Sequence, residues 1–456
     1  MKGVSSLSNT KSIKEPQTND PSKRKSLLYS ILSLSLLTVM AGAAVAPALG
    51  VIAKAFPGAS QLAVQLIISM PSLFIFLTNL IFPRLSAKFG SKTLVLAGLI
   101  LYTVGGVAAG LFSNIVLLLI MRALVGIGVG IIMPLSTGLL AYYYPPEAQS
   151  KLSGYSSAMN QTGGVLATLL SGVLSSVNWR ASFLVYLLGL ISVVLCAIFL
   201  PNEKLGATEK TSNEEKVNRP SIGKSFKAYY KYVVAMFLLM SCFFIYPANY
   251  AMETAQFDKV IPASLVSVIM AFADVIAAIG GFLFFRIMKA CKGATKLVAP
   301  ISFFLGFLFL YIGGWVGAIL GSALIGFANG TGVPFIISQG SMKAGKTAAA
   351  TVMPLVSAAL YLGQFVSPFL LSAFQGVLGG LRHTAYIFGM AVSVLFVLWS
   401  ISIKVIVPGA ETKKFQKAES LVSDMGDCPI DIPKIFHGSE LSGPWIFLHP
   451  CGYPKL

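Results

Sequence analysis

Charge is scarce in this chain: Asp, Glu, Lys and Arg make up 11% of its 456 residues, against roughly a quarter of an ordinary soluble domain. A water-soluble globule with so little charge and 55% hydrophobic residues would expose large apolar patches and aggregate. Cysteine is also sparse, and Cys196, Cys242, Cys291, Cys428 and Cys451 form neither a disulfide framework nor a zinc pattern. The spans and short loops hold no paired carboxylates, metal cluster, nucleophile elbow or phosphate loop, so neither an enzyme nor a cofactor is expected. The formal charge of +18 is dispersed between apolar runs, with no basic domain or aromatic-basic motif that would fit nucleic acid.

What the chain does have is Phe (31), Gly (43) and long apolar runs. A helix needs roughly twenty apolar residues to cross the hydrocarbon core. Runs of that length occur at about 27–52, 62–82, 93–112, 115–142, 152–177 and 181–200, then at 229–250, 261–288, 297–316, 319–341, 348–371 and 384–407. The first run is longer than the core of a cleavable signal peptide and is read as a retained span. An all-α integral membrane protein of about twelve spans follows, with the lipid bilayer as solvent. Its segments are a tail (1–25), a six-helix bundle (26–200), a linker (201–227), a second six-helix bundle (228–407) and a tail (408–456).

Short cytoplasmic loops carry an excess of Lys and Arg. With the N-terminus inside, ten fall in short internal loops: Arg84, Lys88, Lys92, Lys151, Arg286, Lys289, Lys292, Lys296, Lys343 and Lys346. Four fall outside: Lys54, Arg180, Lys259 and Arg382. The linker adds basic residues from Lys204 to Lys231, so both termini are expected in the cytoplasm and the protein in the cell membrane.

The two halves register at an offset of 200 residues. Pro47-Ala48 matches Pro247-Ala248, and RALVGIGVGIIMP from Arg122 aligns with SALIGFANGTGVP from Ser322. GGVLATLLSG from Gly163 aligns with GQFVSPFLLS from Gly363. An even number of spans per half makes this a parallel repeat about an axis along the membrane normal.

Four local motifs give the chain a resemblance to the major facilitator superfamily over residues 27–407. PRLSAKFGSK from Pro83 to Lys92 resembles the family loop G-x-x-x-D-R-x-G-R-K: Lys88, Gly90 and Lys92 fit, and Ala87 stands at the acidic position. In the fourth span, Arg122, Gly126, Gly128 and Gly130 match R-x-x-x-G-x-G-x-G. In the fifth, the exporter pattern G-x-x-x-G-P-x-x-G-G falls on Gly163, Ala167, Thr168, Ser171 and Gly172, where only the outer glycines remain, while Ser367-Pro368 supplies a small-Pro pair in the eleventh. Trp179, Arg180 and Phe183 resemble the W-R-x-x-F start of the sixth. The resemblance is strongest to the twelve-span drug:proton antiporter branch. It implies two pseudo-symmetric six-helix bundles, a small-molecule substrate, proton coupling and a monomer.

Of sixteen acidic residues, Asp274 alone sits near the centre of a span, and a carboxylate at that depth is a functional candidate by default. A hydrogen-bonded Asp holding helices together is the plainer reading. Arg122 has Ser322 as its repeat partner, so the shared scaffold does not require a cation there; it either faces the cavity or snorkels to the interface. Asn160, Gln161, Asn329 and Gln364 lie in spans that line or flank the cavity in the family and serve as substrate contacts or interhelical hydrogen bonds. The Phe clusters at 282–285 and 303–309 read as lipid contacts, and Tyr142, Tyr143 and Tyr144 as an aromatic belt. The expected function is proton-coupled efflux of a lipophilic or cationic compound by rocking of the halves. The alternative is uptake or exchange of a small organic anion, favoured by Arg122, Arg180 and Arg382 near the outer side.

Overall fold

The computed structural model describes residues 21–203, 222–256, 261, 263–378 and 383–406. Cys428, Cys451, the tail from 408, most of the linker, Lys259 and Arg382 lie outside them. The first half comprises α1 (Pro21–Ala43), a 3-10 turn (Ala46–Ala48), α2 (Leu49–Ala55), α3 (Gln61–Lys88), α4 (Ser91–Ala109), α5 (Ile115–Tyr143) and α6 (Pro146–Val177), then a 3-10 stretch (Trp179–Leu187) running into α7 (Leu188–Phe199). The second comprises α8 (Ile222–Gln256), α9 (Ala263–Cys291), a 3-10 turn (Lys292–Ala294), α10 (Thr295–Ile312), α11 (Gly314–Leu378) and α12 (Thr384–Ile401). Among the described residues, ten stretches are long and apolar enough to cross a bilayer. One of them, Leu265–Ile312, contains both α9 and α10, and α6 has the length but a polar first half, SKLSGYSSAMNQTGG, so the helical passages number twelve.

The tenth and eleventh spans, expected with a loop between them, form one helical element, α11. It cannot be straight. A Cβ on Gly340 would stand 3.4 Å from Cε of Met353, whereas thirteen residues of straight helix would separate them by about 20 Å. The chain therefore bends back between Gly340 and Met353 inside one helical element, where a separate loop had been expected.

Glycine seams build the repeat. Gly126 packs on Pro71 of α3, with a Cβ position 2.5 Å from the Pro71 carbonyl oxygen. Its partner Gly326 packs the same way on the Ala273 carbonyl of α9. Gly163 of α6 meets the Leu36 carbonyl of α1, and its partner Gly363 the Phe237 carbonyl of α8, 2.6 Å from the Cβ position. Backbone-to-backbone contact of this kind holds helices together where lipid offers no hydrophobic drive.

Two aromatic readings are corrected by burial. Phe282 and Phe285 are exposed to lipid, but Phe284, Phe303 and Phe307 are core residues. Tyr143 and Tyr144 are likewise buried rather than set in a belt.

Candidate functional site

The halves meet along α2–α8, α3–α11 and α6–α9. Call the end where residues 21, 88, 203 and 402 lie the tail end, and the other the far end. At the far end Gly50 presses on the Ala251 carbonyl and Gly172 on Ser267, so closely that a Cβ on either glycine would overlap its neighbour. Gln65 Nε2 donates to Asn249 Oδ1 at 2.6 Å, both side chains buried, and Gln375 Nε2 donates to Gln61 Oε1 at 3.4 Å. Nearer mid-depth, Ser72 donates to Gln364 Oε1 (2.7 Å), Thr168 to Asp274 Oδ2 (3.1 Å) and Tyr361 to Met133 Sδ (2.7 Å). Among the described residues, every hydrogen bond between the halves lies at mid-depth or at the far end, so that end is the sealed one.

Beneath that seal is a cavity of about 290 Å³ walled by both halves. The first half contributes Thr38, Ser72, Met133, Asn160 and Thr168, and the second Phe243, Tyr246, Asp274, Tyr361 and Gln364. Among the described residues, Asp274 is the one Asp, Glu, Lys or Arg on this wall. Its Oδ2 accepts from Thr168, and no described cation pairs with it. Asn160 accepts from Thr38 at 2.6 Å, so that amide is held within the first half, whereas Gln364 and Thr168 reach across.

The structure brings Asp274, Asn160 and Gln364 together but leaves three other candidates off the wall. Gln161 is half-buried beside the cavity helices, and the Oδ1 of Asn329 is buried without a hydrogen-bond partner.

Arg122 is fully buried and neither snorkels nor reaches the cavity. Its surroundings follow from helix breaks. Pro71 has no N–H, so the Ile67 carbonyl four residues earlier lacks its helical donor; Arg122 Nε donates to it at 2.6 Å. At the end of α1 the Val45 N–H turns to Gly42 instead of Ala41. The Ala41 carbonyl is then capped by Arg122 Nη2 at 2.6 Å and by the Tyr186 hydroxyl at 2.7 Å. Arg122 Nη1 also donates to Tyr186. One guanidinium thus ties three spans behind the cavity wall, its planar fork matching three acceptors at once.

The Lys88–Lys92 turn meets the start of the linker. Ser91 N–H donates to the Glu203 carbonyl at 2.7 Å, and Tyr142 donates to Glu203 Oε2 at 2.8 Å. A Cβ on Gly90 would overlap Asn202. Ala87 leaves the turn without the family's acid, and the carboxylate present comes from the linker.

Sequence reasoning missed Thr38, Ser72, Thr168, Tyr246, Met133 and Tyr361. For Tyr246 a signal existed, since it precedes the kinking Pro247, and for Thr168, which stands at the proline position of the exporter pattern; the other hydroxyls carry none, being common on every helix face.

A sealed end, a central cavity between two six-helix halves and a scaffold of kinked helices are the architecture of a membrane solute carrier. A family model described as Major Facilitator Superfamily matches residues 31–368, and the chain belongs to that superfamily, a family of multi-pass membrane transporters and not of enzymes. Multidrug resistance protein 3 of Bacillus subtilis is 33% identical over 104 residues, 23% of this chain and 20% of that protein. Quinolone resistance protein NorA of Staphylococcus aureus is 27% identical over 178 residues, 39% and 45% respectively. The match therefore spans less than half the length of either relative. Among solved structures, a bacterial homologue of the human lysosomal transporter Spinster, inward-facing and unoccupied, superposes with TM-score 0.66 at 16% identity, covering 84% of this chain and 95% of that one. The D-xylose-proton symporter gives 0.63 at 15%, covering 84% and 99%. Those likenesses show the fold.

Proposed function

We propose that the chain exports a small lipophilic or cationic compound in exchange for protons. The observation that carries this reading is the cavity wall: largely apolar and aromatic, with Asp274 as its one Asp, Glu, Lys or Arg among the described residues and no described cation paired with it. A carboxylate in low dielectric needs a proton or a cation. A site that takes one or the other, and not both, exchanges them as the halves rock. An organic anion finds no counter-charge on this wall, because Arg122 is buried behind it and Arg180 caps the carbonyls of Gly110 and Leu111. The two resistance proteins among the relatives support export. The Lys and Arg asymmetry supports a cell-membrane orientation with both termini cytoplasmic, and the chain is proposed to work as a monomer. The test is transport of a fluorescent lipophilic cation in vesicles under an imposed pH gradient. Protons and dye should move in opposite directions; dye accumulating together with inward-flowing protons overturns the reading.

A further inference from the structure

The second half holds a titratable pair that the cavity does not use. Glu253 near the end of α8 is 5% exposed, and its Oε2 lies 3.1 Å from Nδ1 of His383. His383 precedes α12 with a left-handed backbone (φ 55, ψ 32), an arrangement uncommon outside glycine and one that concentrates where function pays for strain. Its ring stacks on Tyr386, with 5.6 Å between centroids and 10° between planes, and meets the edge of Tyr311 at 6.2 Å. A small enclosed pocket lies there, bounded by α8, the end of α10, the start of α11 and the start of α12. Around it the ionisable groups are Glu253 and Tyr250 from α8, Tyr311 from α10, and His383 and Tyr386 from the start of α12; no described Lys, Arg or Asp joins them. Asp258, Lys259 and Arg382 are close in sequence but outside the described residues.

The repeat sharpens the observation. Tyr386 is the partner of Tyr186, and Phe183 and Ala53 occupy the positions matching His383 and Glu253. At the corresponding start of the sixth span, the first half has Arg180, which caps the end of α4 and stays charged at any working pH. The first half is closed by a fixed cation; among the described residues, the second carries a pair there that can hold or lose a proton.

We propose that Glu253 and His383 form a second proton-binding site, separate from the central cavity and coupled through α8 to closure of the far end. The coupling is geometric. Ala251 and Ala255 of α8 press on Gly50, and Glu253, two residues from each, projects from the opposite side of the helix at about 100° per residue. With one proton shared, the pair is an imidazolium on a carboxylate, or their neutral forms, and carries no net charge. Without it a carboxylate is buried with no counter-charge among the described residues, a costly state that favours loosening of this end of α8 so that water reaches it. Protonation therefore favours the sealed far end. This inference does not depend on export or on Asp274.

The test uses the full-length protein with nitroxide labels at Lys54 and Gln256, both exposed, at the far ends of α2 and α8. Raising the pH from about 5 to about 8, the window in which histidine changes charge, should shift the distance distribution toward longer separations. Glu253→Gln and His383→Asn should each abolish the shift, Asn being chosen because it tolerates the left-handed backbone. Asp274→Asn should leave it intact. Histidine NMR gives a second reading that needs no label: of the three histidines, the resonance lost in His383→Asn should titrate, and Glu253→Gln should weaken its proton affinity about tenfold. A pH-independent distance in the wild type, the same pH dependence in Glu253→Gln, or a His383 resonance indifferent to Glu253→Gln overturns the proposal.

Discussion

The two halves share a scaffold and differ in where they place charge. In the first, the repeat position in the fourth span is Arg122, which spends its donors on carbonyls freed at Pro71 and at the break after α1. In the second, the same position is Ser322, which accepts from Tyr246 at 2.8 Å, and the carboxylates set among the described helices are Asp274, half-buried on the cavity wall, and Glu253, buried. One half carries a fixed cation that braces helix kinks, and the other carries the carboxylates to which we assign proton exchange. The scaffold explains what they share; the difference assigns stiffness to one half and titration to the other.

The largest effect is expected at Asp274. Asp274→Asn keeps the shape and the acceptor for Thr168 while removing titration, so proton-driven flux at matched protein levels should fall by about two orders of magnitude or more, with the fold intact. A variant whose flux and pH dependence match the wild type would move the exchangeable group elsewhere and erase the proposed division between the halves.

Next comes the seam. Gly172 faces Ser267 across the halves, whereas Gly163 faces Leu36 within one half. Gly172→Val should leave the folded protein intact but hold the far end open, cutting transport about tenfold or more and raising labelling of a far-end cysteine, and Ser267→Gly in the same chain should restore part of both. Gly163→Val should instead lower the yield of folded protein, because its obstacle is backbone. Equal losses of folding in the two variants would mean that the seam between halves is as permanent as the packing inside one.

How far the sequence reached can be argued from these same residues. Spans, repeat and the isolated depth of Asp274 were legible because each rests on periodicity or on a count. Which way a side chain points was not, since a helix face depends on kinks. Asn160 and Gln161 are neighbours, yet the first lines the cavity and the second does not. Arg122 looked like a cavity cation because its repeat partner lacks charge; the relevant clue was Pro71 on another span, a proline that frees a carbonyl only a buried donor could satisfy. The helical reversal inside α11 was hidden because Lys343 and Lys346 suggested a polar loop, and a helix tolerates both.

A third effect concerns the brace. Arg122→Lys keeps the charge but loses the planar fork, and Arg122→Ala leaves the Ile67 carbonyl without its donor, a cost on the order of 2 kcal/mol. Thermal unfolding in detergent should show Arg122→Ala clearly destabilised, Arg122→Lys between it and the wild type, and transport falling in step with stability. Full stability with lost transport would instead give Arg122 a direct part in the cycle.

The smallest effect is expected at the matching place in the second half, where it sharpens the contrast. Ser322 and Tyr246 are both buried and linked by one neutral hydrogen bond. Such bonds between membrane helices average about 0.6 kcal/mol, and no carbonyl freed by proline depends on this one as Ile67 depends on Arg122. A double-mutant cycle with Ser322→Ala and Tyr246→Phe should therefore return a coupling of about that size. The corresponding cycle with Arg122→Ala and Tyr186→Phe should exceed it, because there a charged donor, a hydroxyl and the Ala41 carbonyl form a closed set in which removing one member changes what the others can satisfy. Equal couplings in the two cycles would show that the charge adds nothing to the brace, and that the two halves are held by the same kind of contact after all.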